Sequence, residues 1–151
     1  MTPDGISTTD WERVKELACK VANASGANDE GLSSEYTNQL LLLLDELQEK
    51  YGHLPSILAT KADYIENVSE SLALLKHAYE IANKQGDKAN LTFIASSIAR
   101  VYIEDLNDRE NGQSWLNTLR VCLEERPDET EAMELKRLSE ILLKLSEVSQ
   151  T

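Results

Sequence analysis

A short pattern recurs three times along this chain at nearly constant spacing. In each copy a large aliphatic residue precedes an alanine, and a further apolar residue follows three positions after the alanine. The copies begin at Leu17, Leu58 and Ile98, which are 41 and 40 residues apart. A repeat of this length holds one supersecondary unit, which cannot cover its own apolar face. The spacing therefore predicts a stack of similar units that cover one another.

Each unit reads as a pair of helices. Apolar residues recur at intervals of three and four along almost the whole chain, and no segment alternates as a strand would. Capping and turn residues divide this pattern into seven predicted helices. Their starts are the capping-box sequence at Thr9, then Ser33, Pro55, Asn67, Asp87, Asn107 or Asp108, and Asp128.

The predicted organisation is a single all-α domain. Residues 1–8 are expected to form a flexible N-terminal tail, because they are polar and carry no apolar repeat. Three helical hairpins are predicted over residues 9–51, 54–86 and 88–126. A capping helix over residues 128–149 follows, since the last unit of a stack exposes an apolar face.

The charge of the chain restricts its partners. The sequence has 27 acidic and 15 basic residues and a net charge of −12, half of it within residues 1–52. Such a field repels nucleic acid and anionic membranes, and it attracts basic proteins. Solubility alone would also account for this charge. We therefore expect no nucleic-acid or membrane partner, and a basic protein if there is one.

The cysteines and the N-terminus indicate a cytoplasmic protein. Cys19 and Cys122 are far apart and fall on apolar sides of their predicted helices, so they are expected to be buried free thiols, as in a reducing compartment. The first ten residues lack the features of a signal peptide. The longest apolar run, Leu40–Leu44, is too short to span a bilayer.

No pattern in the sequence predicts catalysis. His53 and His77 have no Cys, His or carboxylate at metal-ligand spacing, and there is no glycine-rich phosphate loop or nucleophile elbow. Carboxylate pairs such as Glu12 with Glu16 lie on polar helix faces, where water keeps them ionised. We expect no catalytic residues, no metal, no cofactor and no enzymatic activity.

The repeated pattern resembles the tetratricopeptide repeat. Ile98-Ala99 with Tyr102 matches the first helix of that repeat, and Ser71, Leu75 and Ala78 match the second with Leu in place of an aromatic residue. The copies are longer than the usual 34 residues, which makes them divergent. The resemblance implies a right-handed solenoid of three hairpins with a concave face that binds another protein.

The resemblance also places ligand-facing positions on the first helix of each hairpin. In this sequence they include Glu12, Thr60, Asp63, Tyr64, Phe93, Arg100 and Glu104. Phe93 has an alternative role, in which it packs the fifth helix against the fourth. The acidic first third of the chain supplies a second candidate patch. It consists of Glu12, Glu16, Asp45 and Glu49, and a solvated helix face is the alternative for each of these residues.

Two functions agree with this sequence. The stretch from Tyr51 to Thr60, continued to Gly86-Asp87, is similar to small bacterial tetratricopeptide-like proteins, and some immunity proteins of this size are acidic. The first hypothesis is therefore an inhibitory, immunity-type partner that neutralises a basic toxin. The alternative is a secretion chaperone or cytoplasmic adaptor that holds an extended peptide in the concave groove. The oligomeric state is left open.

Overall fold

A computed structural model describes residues 1–149 of the protein, and the side chains of residues 1–146. Its seven α-helices confirm the predicted all-α class, and the described residues contain no strand. They are α1 (Thr8–Gly26), α2 (Glu30–Tyr51), α3 (Pro55–Asp63), α4 (Val68–Gln85), α5 (Lys88–Arg100), α6 (Arg109–Glu125) and α7 (Glu129–Ser149). A π-helical turn, Val101–Asp105, extends α5.

Polar side chains cap the starts of six helices. The backbone N–H three residues on donates a hydrogen bond to each of Ser7, Asp29, Asn67, Asp87, Asp108 and Asp128. These bonds satisfy N–H groups that a helix leaves without partners. The first two caps differ from the prediction, which placed the start of α1 at the Thr9 capping box and the start of α2 at Ser33. Ser7 and Asp29 lie outside the apolar periodicity on which the predicted starts depend.

The segment before α1 is attached to the helices through particular side chains, in contrast to the flexible tail expected for residues 1–8. Ile6 is fully buried with α1, α2 and Ile57. The Asp4 carboxylate accepts hydrogen bonds from the backbone N–H of Ser56 at 2.7 Å and from its hydroxyl at 2.8 Å. One isoleucine and one aspartate therefore attach this polar segment to the start of α3.

Helices that follow one another in the chain are also neighbours in space. Extensive contacts join α1 to α2, α3 to α4 and α5 to α6, and α4 also packs on α5. The last helix, α7, contacts α5 and α6, whereas α1 packs closely only on α2. The chain thus runs from an α1–α2 end to an α6–α7 end.

The repeated large-small pairs occupy the core where hairpins meet. Leu58, Ala59, Ile98 and Ala99 are 0–2% exposed. Alanine at these points lets neighbouring helices approach closely, because only a methyl group separates them. The first copy, which begins at Leu17, is only half-buried, because α1 has no second helix packed on it. The prediction of buried cysteines was wrong for Cys19, which is exposed, while Cys122 is half-buried.

Candidate partner-binding surfaces

Three of the predicted ligand-facing residues lie in one chain of ion pairs. The Arg100 guanidinium on α5 is 3.7 Å from an Asp63 carboxylate oxygen on α3 and 4.0 Å from Glu134 on α7. Arg137 on α7 binds Glu134 at 2.6 Å and also Glu104 in the π-helical turn. We call this set of five residues the α3–α5–α7 surface. Its side chains remain 21–45% exposed, so it is open to solvent.

The carboxylates of this surface differ in their electrostatic state. Burial raises the pKa of Asp63, and the nearby Arg100 charge opposes that shift only in part. The hydrogen bond from Arg137 lowers the pKa of Glu134. Burial also raises the pKa of the neighbouring Glu131, against a hydrogen bond from Ser96. Four carboxylates therefore share two guanidinium groups, so this part of the protein stays net negative.

Phe93 and Thr60 lie beside these charges without taking part in them. Phe93 is one heptad before Arg100, which places both on the same side of α5. It is 38% exposed and belongs to none of the buried apolar clusters. Its alternative role, packing α5 against α4, stays a prediction. Thr60 on α3 is half-buried.

A groove runs between α2 and the segment that joins α3 to α4. Its volume is about 730 Å³, and Tyr64 lies in its wall beside Asp63. The lining includes the carboxylates of Asp63, Glu66 and Glu70 and no Lys, Arg or His. Burial raises the pKa of Tyr64, and the Asp63 charge adds to that shift, so the phenol stays neutral. We call this feature the acidic groove.

The predicted acidic patch is divided among separate ion pairs. Glu12 and Glu16 pair with Lys15 and Lys20 of their own helix, at 3.4 Å and 3.9 Å. Asp45 instead reaches across to Lys61 on α3, at 2.5 Å. Glu49 makes no ion pair with any residue whose side chain the structure describes. Three of these four acids are therefore partly neutralised, in contrast to Glu66 and Glu70 in the acidic groove.

Two sets of polar residues were not found from the sequence. Arg137 and Glu134 complete the α3–α5–α7 surface and Glu131 lies beside it, but the resemblance assigned α7 only a capping role. Asp10 accepts hydrogen bonds from Lys50 at 2.8 Å and from the Tyr51 hydroxyl at 2.5 Å. Partners some 40 residues apart leave no local signal in the sequence.

The described residues offer no arrangement suited to a bound metal. No group of three or more His, Cys, Asp or Glu among them could hold an ion. Both His53 and His77 are exposed. None of the described helices combines the length and apolar character needed to cross a membrane.

Comparisons with known proteins identify no relative. No protein-family model, no curated protein and no solved structure matches the chain.

Proposed function

We propose that this protein is a protein-binding module that neutralises a basic toxin, as an acidic, immunity-type partner. The observation that carries the proposal is the acidic groove, where three carboxylates line one concavity with no basic residue among them. The net charge of −12 adds an attraction for a basic protein that acts over a longer distance than the groove itself. A basic active-site cleft is complemented by such a surface, which also speeds its approach.

The residues of the groove suit a basic partner for a specific reason. Glu66 and Glu70 are exposed and make no ion pair with any described side chain, so their charges are available to a partner. Tyr64 adds an aromatic wall with a neutral hydroxyl. An aromatic anchor beside charged groups is a common design of protein interfaces. The exposed ring of Phe93 offers a second anchor on the α3–α5–α7 surface.

The proposal includes the fold arrangement and the setting. We take the hairpins to form a divergent tetratricopeptide-like solenoid. The buried pairs Leu58-Ala59 and Ile98-Ala99, and the packing of α4 between α3 and α5, support this arrangement. The protein acts in the cytoplasm by occupying its target, with no catalysis and no cofactor.

The test is capture of the partner from the source cell with tagged protein at low salt, followed by mass spectrometry. The proposal expects one folded basic protein whose toxic activity falls when this chain is added in equal amount. Several unrelated proteins that share an extended segment would favour the chaperone or adaptor instead. A captured protein that is acidic or keeps its full activity would contradict the proposal.

Two variants with equal charge change show whether the groove is responsible. Glu66→Gln with Glu70→Gln removes two charges from the acidic groove. The control, Glu80→Gln with Glu124→Gln, removes two exposed charges that are likewise without a described ion pair. We expect the groove variant to capture less of the partner and the control to behave like the natural protein. Equal capture by both variants would remove the groove from the binding site.

A further inference from the structure

The α1–α2 hairpin is joined to the rest of the fold over a small area. The α1 helix packs closely only on α2, and α2 meets α3 over few residues. In the buried apolar cluster of this hairpin, Ile57 is the one buried member that a later helix supplies, among the side chains that the structure describes. The two clusters that hold α3 to α7 together contain no described residue of α1 or α2. The hairpin therefore has a core of its own.

The short link between α2 and α3 can act as a hinge between these two parts. It consists of residues 52–54, and Gly52 has a φ of 91°. Hinges are typically a few residues at the end of an element, which absorb a change of backbone angle. A link of three residues does not by itself fix the angle between the hairpin and α3–α7, so other contacts must do so.

The segment before α1 supplies such a contact, because it crosses from the hairpin to α3. The Asp4 carboxylate accepts two hydrogen bonds from Ser56, at 2.7 Å from the backbone N–H and at 2.8 Å from the hydroxyl. Leu54, the residue before α3, offers no side-chain cap, so Asp4 takes that role from outside the helix. The Ser56 hydroxyl also accepts a hydrogen bond from Asn90 on α5 at 3.3 Å. Ser56 and Asn90 are 7% and 8% exposed, so this connection is shielded from water.

The same segment is held firmly to the hairpin. The Thr2 hydroxyl accepts a hydrogen bond from the backbone N–H of Ile6 at 2.8 Å and donates one to Asp4 at 2.6 Å. The backbone N–H of Ser7 donates to the Tyr51 hydroxyl, at the end of α2, at 3.2 Å. Ile6 is fully buried in the apolar cluster of the hairpin. Asp4 thus has a fixed position relative to the hairpin, and its two hydrogen bonds transmit that position to α3.

The angle at this hinge also determines the width of the acidic groove. One wall of the groove is the first half of α2, between Ser33 and Leu41, and the other is the segment that joins α3 to α4. The two walls therefore belong to the two parts that the hinge separates. About 28 Å of helix lies between Gly52 and Ser33, so a rotation of about 5° at the hinge moves that wall by roughly 2.5 Å.

Two further contacts cross the joint beside the groove. Tyr64 packs against the cluster of the hairpin but is itself only half-buried. Lys61 pairs with Asp45, which is 58% exposed, and an exposed ion pair contributes little free energy. The shielded hydrogen bonds of Asp4 and the buried side chain of Ile6 are therefore the stronger connection.

We propose that residues 2–7 form a latch that fixes the angle of the α1–α2 hairpin and thereby sets the width of the acidic groove. The latch gives the hairpin a second attachment to the start of α3, beside the chain link, and so prevents a rotation that a single link permits. Asp4 and Ile6 are positioning residues, because they lie outside the groove lining and act through the wall that α2 forms. The angle is a property of this chain alone, and only its effect on partner binding rests on the proposed function.

The experiment measures the distance between two spin labels by pulsed electron paramagnetic resonance. The labels are attached after Glu35→Cys on α2 and His77→Cys on α4, two exposed sites, and Cys19→Ser with Cys122→Ala removes the natural thiols. With the latch intact, we expect one narrow distance distribution. Asp4→Ala removes both hydrogen bonds to Ser56, and it should broaden the distribution or shift its mean by about 2 Å or more, as a rotation of about 5° would.

Asp108→Ala is the matched control. The Asp108 carboxylate also accepts two hydrogen bonds, both from Asn111, and it caps α6, which has no contact with the hairpin. Loss of a cap lowers the free energy of unfolding in both variants. Only Asp4→Ala should change the distance distribution, which a merely stabilising role of the carboxylate would not do.

Three results would overturn the proposal. If the distribution of Asp4→Ala equals that of the intact latch, the segment does not fix the angle. A broad distribution before any change to the latch means that there is no fixed angle to hold. Equal broadening by Asp108→Ala means that loss of any cap loosens the helices. If circular dichroism shows that Asp4→Ala does not fold, Ser56→Ala, which removes only the hydroxyl bond, takes its place with the same expected outcomes. No partner is needed, so failure of the latch and failure to find a basic partner are separate results.

Discussion

Gly112 lies where α6 crosses the π-helical turn, and the contact is very close. A Cβ atom added to Gly112 would lie 2.5 Å from Cγ1 of Ile103 and 3.3 Å from its Cδ1. Ile103 is 1% exposed and branched at Cβ, so its side chain has few other rotamers to adopt. Substitution of Gly112 by alanine must therefore move α6 or the turn.

Two effects of the Gly112→Ala change oppose each other. Alanine stabilises a helix interior by about 1 kcal/mol relative to glycine. Overpacking of a filled core typically costs about 1–3 kcal/mol, and an overlap with the inner part of a stiff buried side chain belongs at the upper end. We expect a net loss of about 1–2 kcal/mol in the free energy of unfolding. For a domain of this size, each lost kcal/mol lowers Tm by roughly 2–4 °C.

Chemical denaturation of Gly112→Ala beside Gly26→Ala tests this reasoning. Gly26 is the last residue of α1, and a Cβ atom there would meet nothing within 4 Å. The Gly26 variant should be unchanged or slightly more stable than the natural protein. A Gly112→Ala protein that is as stable as the Gly26 control would show that α6 does not approach Ile103 this closely.

Three further predictions follow from individual contacts. Ile6→Ala should destabilise the protein by about 2–5 kcal/mol in urea unfolding, because it opens a cavity in the core. Met1→Ala should have no effect, since Met1 is 84% exposed. If the two variants were equally stable, the first residues would be the flexible tail that the sequence predicted. Hydrogen bonds from Lys50 and from the Tyr51 hydroxyl lower the pKa of Asp10 from 3.8 to about 2. The stability that this carboxylate contributes is therefore complete above pH about 4 and is lost as the pH falls towards 2. The free energy of unfolding of an Asp10→Asn variant should depend less on pH across this range than that of the natural protein. Asp63→Asn combined with Tyr64→Phe should weaken partner binding in calorimetry while Tm changes little, because an exposed ion pair contributes at most about 1 kcal/mol and phenylalanine keeps the ring packed against the core. Unchanged affinity would remove the Asp63 charge and the Tyr64 hydroxyl from the interface.

The helices of this protein could be predicted from local sequence, because their signals lie within a few residues. Gly86 has a φ of 66°, a conformation that glycine adopts without strain, and it ends α4 as predicted. Pro55 is the first residue of α3, where its missing N–H would have no helical partner. Residues that begin or end a helix alternate with stretches of apolar periodicity, and this alternation predicts the number and order of the helices.

The contacts that join distant parts of the chain could not be predicted in the same way. Arg137 and Glu104 are 33 residues apart, and their pairing depends on how α7 lies against the π-helical turn. Ile6 appears in the sequence as one apolar residue in a polar segment, and only the packing of that segment on α2 buries it. The candidate residues Asp63, Arg100 and Glu104 were placed together by the repeat register. The carboxylates of Asp63 and Glu104 are nevertheless partly neutralised by Arg100 and Arg137, which sequence position does not reveal.

The most direct test of the central claim is the affinity of the captured partner measured from low to high ionic strength. The natural protein and the two double variants, Glu66→Gln with Glu70→Gln and Glu80→Gln with Glu124→Gln, are compared by calorimetry. If the acidic groove holds a basic partner, Kd should rise steeply with salt for the natural protein and the control, and less steeply for the groove variant. An affinity that is independent of salt, or equal slopes for the two variants, would contradict the claim that this protein recognises its partner through the groove.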